Sequence, residues 1–170
     1  GNTRYVMTSI DEFHVSKYDE EWAYNKEIDH ESYHTMNLYK IWAEKTNFLK
    51  RAIEMNPYST DYFTWCDIGC FRNPKRMNEF KHWPQTTKMD RVTFLQLKPF
   101  TLHEMKHVDT LDDRFRYQVR VGGGIIAGHK KYLLQWHTIY YSILEQFFQK
   151  KLFAGKDQCV YAFAILQNLD

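Results

Sequence analysis

Apolar residues along the chain switch between helical and extended periods, and the switches outline the elements. Leu38, Ile41, Trp42, Lys45, Leu49, Ala52 and Ile53 recur at three- and four-residue intervals, the stripe of an amphipathic helix. Pro57 ends it, because the residue before a proline is steered away from the helical region. Tyr62 to Cys66 is a bounded aromatic run too short for a helix and predicts a buried strand. Two further strands are expected at RVTFLQL (91 to 97) and YQVRVGGGIIAG (117 to 128), the latter interrupted by glycines. Leu133, His137, Tyr140, Leu144, Phe147, Phe148 and Leu152 form a second long helical stripe, with Gly155 expected as its C-terminal cap. A last helix is expected to start near Asp157 and to carry Val160, Ala164 and Gln167. RYVMTSI (4 to 10) reads as a short strand, and the polar stretch after it lacks a firm period and reads as irregular. Helices alternating with strands indicate an α/β fold with a mostly parallel sheet. In such sheets ligands sit beyond the carboxyl ends of the strands, where Asp67 stands.

Composition narrows the picture. At 170 residues the chain suits one domain, residues 1–170. Lys and Arg number 23 against 21 Asp and Glu, so no long-range field calls for a nucleic-acid partner or an anionic membrane. No apolar run reaches membrane-spanning length. Aromatics make up 17% of residues, read first as core filling and second as platforms for sugars or bases. Three cysteines without a disulfide framework suggest reduced thiols and a cytoplasmic setting, with a Golgi-type lumen as the alternative.

Several motifs offer chemistry. HEMKH (103 to 107) matches H-E-x-x-H, but a third zinc ligand is missing, and an exposed polar turn is the preferred reading. GGGIIA (122 to 127) fits a dinucleotide fingerprint, yet the helical stripe runs through the place of the required second strand. The glycines are read instead as admitting a ligand or another strand closely. AGKDQ (154 to 158) lacks the residues of a phosphate loop. Asp157 at a helix start is either an N-cap or functional. Cys66 and Cys70 are read as buried free thiols. Asp67, beside Gly69, is either a turn acid or a ligand for a hard cation carrying a diphosphate, with Arg72 as a partner for phosphate or for Asp67. Lys45, on a buried-looking stripe, either snorkels to solvent, the ordinary outcome, or meets an anion.

The elements W-x-D-I-G-x-F-R (65 to 72), G-G-G-I-x-A-G (122 to 128) and G-K-D-Q (155 to 158) resemble those of the HtrL/YibB-type protein family, over roughly residues 35 to 168. That family is itself similar to GT-A glycosyltransferases. The resemblance implies a GT-A, Rossmann-like domain, lacking some N-terminal elements, that moves a sugar from a nucleoside diphosphate-sugar donor (a UDP-sugar above all) to a hydroxyl of a glycan or lipid-linked glycan. A catalytically silent nucleotide-sugar- or glycan-binding module is the alternative. Asp67 stands at the first place of a metal-binding D-x-D and Gly69 at the second, so Mn²⁺ or Mg²⁺ would need another ligand, such as His129. Gly123 and Gly124 resemble a donor-lining strand of family 8 glycosyltransferases. Asp157 and Gln158 resemble the opening of that family's catalytic helix, where Cys159 departs from the pattern. Arg72, Lys156 and Lys45 are the expected phosphate or sugar contacts.

Overall fold

The computed structural model describes residues 3–70, 73 and 90–168. Two short 3-10 turns, Ile10–Glu12 and His14–Tyr18, lead into helix α1 (Asp19–Ile28) and then α2 (Met36–Met55). The strands are β1 (Tyr62–Cys66), β2 (Thr93–Gln96) and β3 (Val121–His129), with a five-residue helix α3 (Leu102–Lys106) between the last two. Helices α4 (Lys130–Gln149) and α5 (Asp157–Leu166) complete the described chain.

The sheet is small and antiparallel. Its order is β1-β3-β2, with Cys66 opposite Ile125 and Tyr62 opposite His129 on one side of β3. On the other side Phe94 faces Ile126, and the register slips between Phe94 and Leu95, as at a bulge. The expected GT-A, Rossmann-like and mostly parallel sheet is therefore incorrect. The long helices that suggested crossovers precede and follow the strands: α2 comes before β1, and α4 continues directly from β3.

Local physics accounts for most elements. Thr35 caps α2, its hydroxyl accepting from the Leu38 amide at 3.2 Å, which satisfies one orphan donor of the first turn. Asn56 ends α2 in the left-handed region at φ 30°, ahead of Pro57. The segment at 4 to 10 is not a strand, and α1 lies within the stretch read as irregular. α1 hides from a periodicity search because it buries only Trp22 and Asn25. β1 is a half-exposed edge rather than a buried strand. Gly155 does not cap α4, whose last turn closes at Lys150 with Lys151 left-handed.

One apolar cluster joins α2, α4 and α5 to β3. Trp22, Tyr39, Tyr140, Tyr161, Phe147, Phe153 and Phe163 are fully buried in it, so core filling accounts for much of the aromatic content. Buried rings with a polar atom usually find a partner for it; the Tyr140 and Tyr161 hydroxyls make no directed hydrogen bond among the described residues, whereas others do. Trp22 Nε1 donates to Val15 O at 2.8 Å and the Tyr141 hydroxyl to Ala43 O at 3.1 Å. Glu44, also fully buried, accepts from the amides of His14 and Val15 and from Asn47, tying the N-terminal turns to α2. Among the described residues no helix is long and apolar enough to cross a membrane.

Candidate functional site

The site grows from Lys45. On α2 it follows Ile41 and Trp42 by four and three residues, which places all three on one face. Lys45 does not snorkel: it is 3% exposed. Its Nζ lies 3.2 Å from Asp67 Oδ2, 3.1 Å from Asp157 Oδ2 and 3.1 Å from Gly123 O. A buried ammonium requires such compensation.

Each acid is held differently. Asp67 follows β1 and extends its ladder, its amide donating to Gly124 O at 2.8 Å. Trp65 lies two residues back, on the same strand face, and its Nε1 donates to Asp67 Oδ1 at 2.7 Å. Asp157 is the first residue of α5, and Lys156 is the N-cap, without a side-chain cap bond; Asp157 thus serves as no cap. Its Oδ2 has no directed hydrogen bond, so the contact with Lys45 is Coulombic. Burial pushes the Asp157 carboxyl up, Lys45 pulls it back, and Asp67 adds to the rise.

Glycines make the approach. A Cβ on Gly123 would lie 2.4 Å from Asp157 Oδ2, and one on Gly124 would lie 2.6 Å from Cys70 Sγ. Both positions need a bare backbone because side chains from the neighbouring elements occupy that space.

A second group faces the first across the cleft, on the loop between α1 and α2. The Asp29 side chain is fully buried and its Oδ2 accepts from the Tyr39 hydroxyl at 2.6 Å and meets His34 Nδ1 at 2.8 Å. Burial raises the Asp29 carboxyl, but these partners and the Glu31 amide outweigh it, leaving the pKa lowered. His34 Nε2 is 3.3 Å from Glu31 Oε2, and Lys156 Nζ reaches the same oxygen at 2.5 Å. That ammonium, chiefly, lowers the Glu31 carboxyl.

Together these residues line a cleft of about 280 Å³ containing Glu31, Tyr33, His34, Lys156, Asp157 and Gln158. A second chamber of about 510 Å³, with Ile41, Trp65, Ile68 and Cys70, shares Trp42, Lys45 and Asp67 with it. One chamber is polar and the other aromatic, joined at the lysine.

The structure thus brings Lys45, Asp67, Gly123, Gly124, Lys156, Asp157 and Gln158 together. Arg72 lies outside the described residues. His129 stands apart, at the far end of β3, where it faces Tyr62 and accepts from the Lys131 amide. HEMKH makes no zinc site: Glu104 is buried, bound by Arg120 and the Thr101 amide. Cys66 is exposed and Cys70 half-buried, so only Cys159 is a buried thiol. Sequence reading missed Glu31, Tyr33, His34 and Trp42; the D-x-E-x-x-H spacing from Asp29 to His34 was the available signal.

Among the described residues, Asp29, Glu31 and His34 are the one group whose ligand atoms lie within 4.8 Å of one another as for a metal, though Lys156 and Tyr39 already contact those atoms. At Asp67 the residues do not fit the expected Mn²⁺ or Mg²⁺, because the Lys45 ammonium stands between the two acids.

Residues 6–169 match a family described as "Bacterial protein of unknown function (HtrL_YibB)". The chain belongs to the HtrL_YibB family. The match spans both walls of the cleft, from the Asp29–His34 loop to Asp157. The HtrL_YibB description names no activity, and no curated protein and no solved structure matches the chain.

Proposed function

We propose that this member of the HtrL_YibB family is a nucleotide-sugar-dependent glycosyltransferase, acting on a hydroxyl of a glycan acceptor. The observation that carries the proposal is the pairing of chambers: one lined by carboxylates and other hydrogen-bonding groups, one by tryptophans, meeting at Lys45 and Asp67. A donor of this class has the same polarity, with an aromatic base at one end, a polyhydroxy ring at the other and anionic phosphates between. Sites that take such ligands combine apolar walls with a few placed polar groups.

Asp157 Oδ2, buried and without a directed hydrogen bond, accepts a hydroxyl proton of the sugar or of the acceptor. Gly123 and Gly124 let Asp157 and Cys70 pack against the β3 backbone, which sets the Asp157 carboxylate at the cleft wall. Lys156 offers its ammonium to the diphosphate once Glu31 gives way, and Gln158 supplies an amide at the same helix start. In the transfer, the bond from the anomeric carbon to the diphosphate oxygen breaks with its electron pair leaving on the diphosphate. The acceptor oxygen bonds the anomeric carbon, and its proton passes to a carboxylate or to the departing phosphate. Charge building on the leaving oxygens is what the lysines stabilise. Free thiols at all three cysteines suit a reducing, cytoplasmic setting.

The test is thermal melting with a panel of UDP- and GDP-sugars, followed by donor hydrolysis. A ligand at about a hundred times its Kd stabilises a fold by about 2.7 kcal/mol, an easily read shift. Hydrolysis should disappear in Asp157→Asn while binding persists; binding without hydrolysis in the parent protein would instead mark a binding module. If no sugar nucleotide shifts melting, the proposal fails.

A further inference from the structure

The geometry points to the Lys45 ammonium as the resident cation of this site, covalently tethered in the position where a carboxylate-lined phosphate site would hold a divalent ion. An ammonium has three N–H donors and no acceptor. Three oxygens surround Nζ, those of Asp67, Asp157 and Gly123, at 3.1 to 3.2 Å, and the side chain is 4% exposed. The donor set is all oxygen, two of them carboxylate, which is the hard chemistry that Mg²⁺ and Mn²⁺ also prefer.

Distance separates the two cations. Mg²⁺ and Ca²⁺ bind oxygen at about 2.0 to 2.6 Å, so a metal centred where Nζ sits would find each of these oxygens at least about half an ångström too far. With the Lys45 ammonium between them, the two carboxylates cannot close to that distance. Asp67 Oδ1 is held by the Trp65 indole, and a β1–β3 bond fixes the Asp67 backbone. Asp157 has no room to retreat towards β3, since its Oδ2 already occupies the space of a Gly123 Cβ. Drawing the oxygens inward would first require expelling a lysine whose stem is buried in α2's inner face. The cleft therefore meets its ligand with a fixed monovalent charge, and ligand binding proceeds without a metal.

This inference deepens the proposed reading of the same cleft, yet its test contains no nucleotide, so the two fail separately. Mn²⁺ is titrated into the folded protein and the free-ion EPR signal is followed. The parent chain should leave the signal of a Mn²⁺ site at Asp67 absent: Asp67→Asn and Asp157→Asn should take up no less Mn²⁺ than the parent. In Lys45→Ala, with circular dichroism confirming the fold, the vacated slot should bind one Mn²⁺ at least about tenfold more tightly than the parent, a difference of about 1.4 kcal/mol. Lys45→Ala/Asp157→Asn should lose that gain. Lys45→Met, which keeps the stem volume, should gain nothing. A parent protein that binds one Mn²⁺ and loses it in Asp67→Asn would overturn the inference, and so would a folded Lys45→Ala that gains no ion. Should Lys45→Ala fail to fold, the comparison of the parent with its two Asp→Asn variants decides alone.

Discussion

Lys45→Met is the most informative single perturbation of stability. The substitution keeps the stem and deletes the charge, leaving Asp157 buried with no cation at its Oδ2. Removing one partner of a buried ion pair costs about 3 to 5 kcal/mol. Little of that comes from Asp67, whose side chain is 38% exposed and solvent-screened; most comes from Asp157, 6% exposed. For a chain of this size each kilocalorie corresponds to about 2 to 4 °C in Tm, so the expected drop is about 6 to 20 °C near neutral pH. Acidity supplies the control. Asp157 already has a raised carboxyl pKa, with Lys45 the main opposing influence, so the variant's is raised further. An acid whose folded pKa lies above its unfolded value is favoured in its protonated form by folding. The variant's stability should therefore recover relative to the parent as pH falls from 7 towards the carboxylate range. Urea unfolding at several pH values reads both numbers, and Lys45→Met/Asp157→Asn should restore most of the loss. A deficit under about 1 kcal/mol at pH 7, or one that does not change with pH, would refute the burial argument.

Three further outcomes follow from the same geometry. Gly123→Ala places a methyl where Asp157 Oδ2 stands and should cost about 1 to 3 kcal/mol, measured by urea unfolding. Asp29→Asn should destabilise at neutral pH by about 1.5 to 3 kcal/mol. Because hydrogen bonds hold the Asp29 carboxyl below its usual pKa, that stability is present above about pH 4 and disappears as pH falls through the depressed value, so parent and variant should converge in acid. Burial pulls His137 down to about 4, and a histidine kept neutral in the fold loses stability as pH drops from about 6.5 towards 4; His137→Phe should flatten that limb of the stability–pH curve.

The long helices and all three strands were legible because their apolar periods are set by packing. α2 begins at Met36, two residues before the first apolar position of its stripe, and α5 begins at Asp157 as expected. Asp67 and Asp157 were recognisable as acids at element ends. Strand direction was not legible. β1, β2 and β3 carry the same bounded apolar runs in a parallel or an antiparallel sheet, and only the pairing through β3 decides. The second wall was missed for a different reason. Asp29, Glu31 and His34 belong to a loop whose order comes from side-chain hydrogen bonds, which leave no period. Lys45 was misjudged because a stripe shows that a face is buried, not what waits opposite it; its two acids lie 22 and 112 residues away.

Because β3 lies between β1 and β2 and both pair with it, those earlier strands lack their partner until residues 121–129 have been synthesised. During translation the nascent chain therefore presents two open strand edges, half-exposed Trp65 among them, while the α2 ammonium waits in water for an acid at position 157. The interval between synthesis of β1 and of β3 is accordingly the one most vulnerable to association and cleavage, and a stop codon ahead of α5 would leave a helix-rich fragment whose central lysine is only half neutralised.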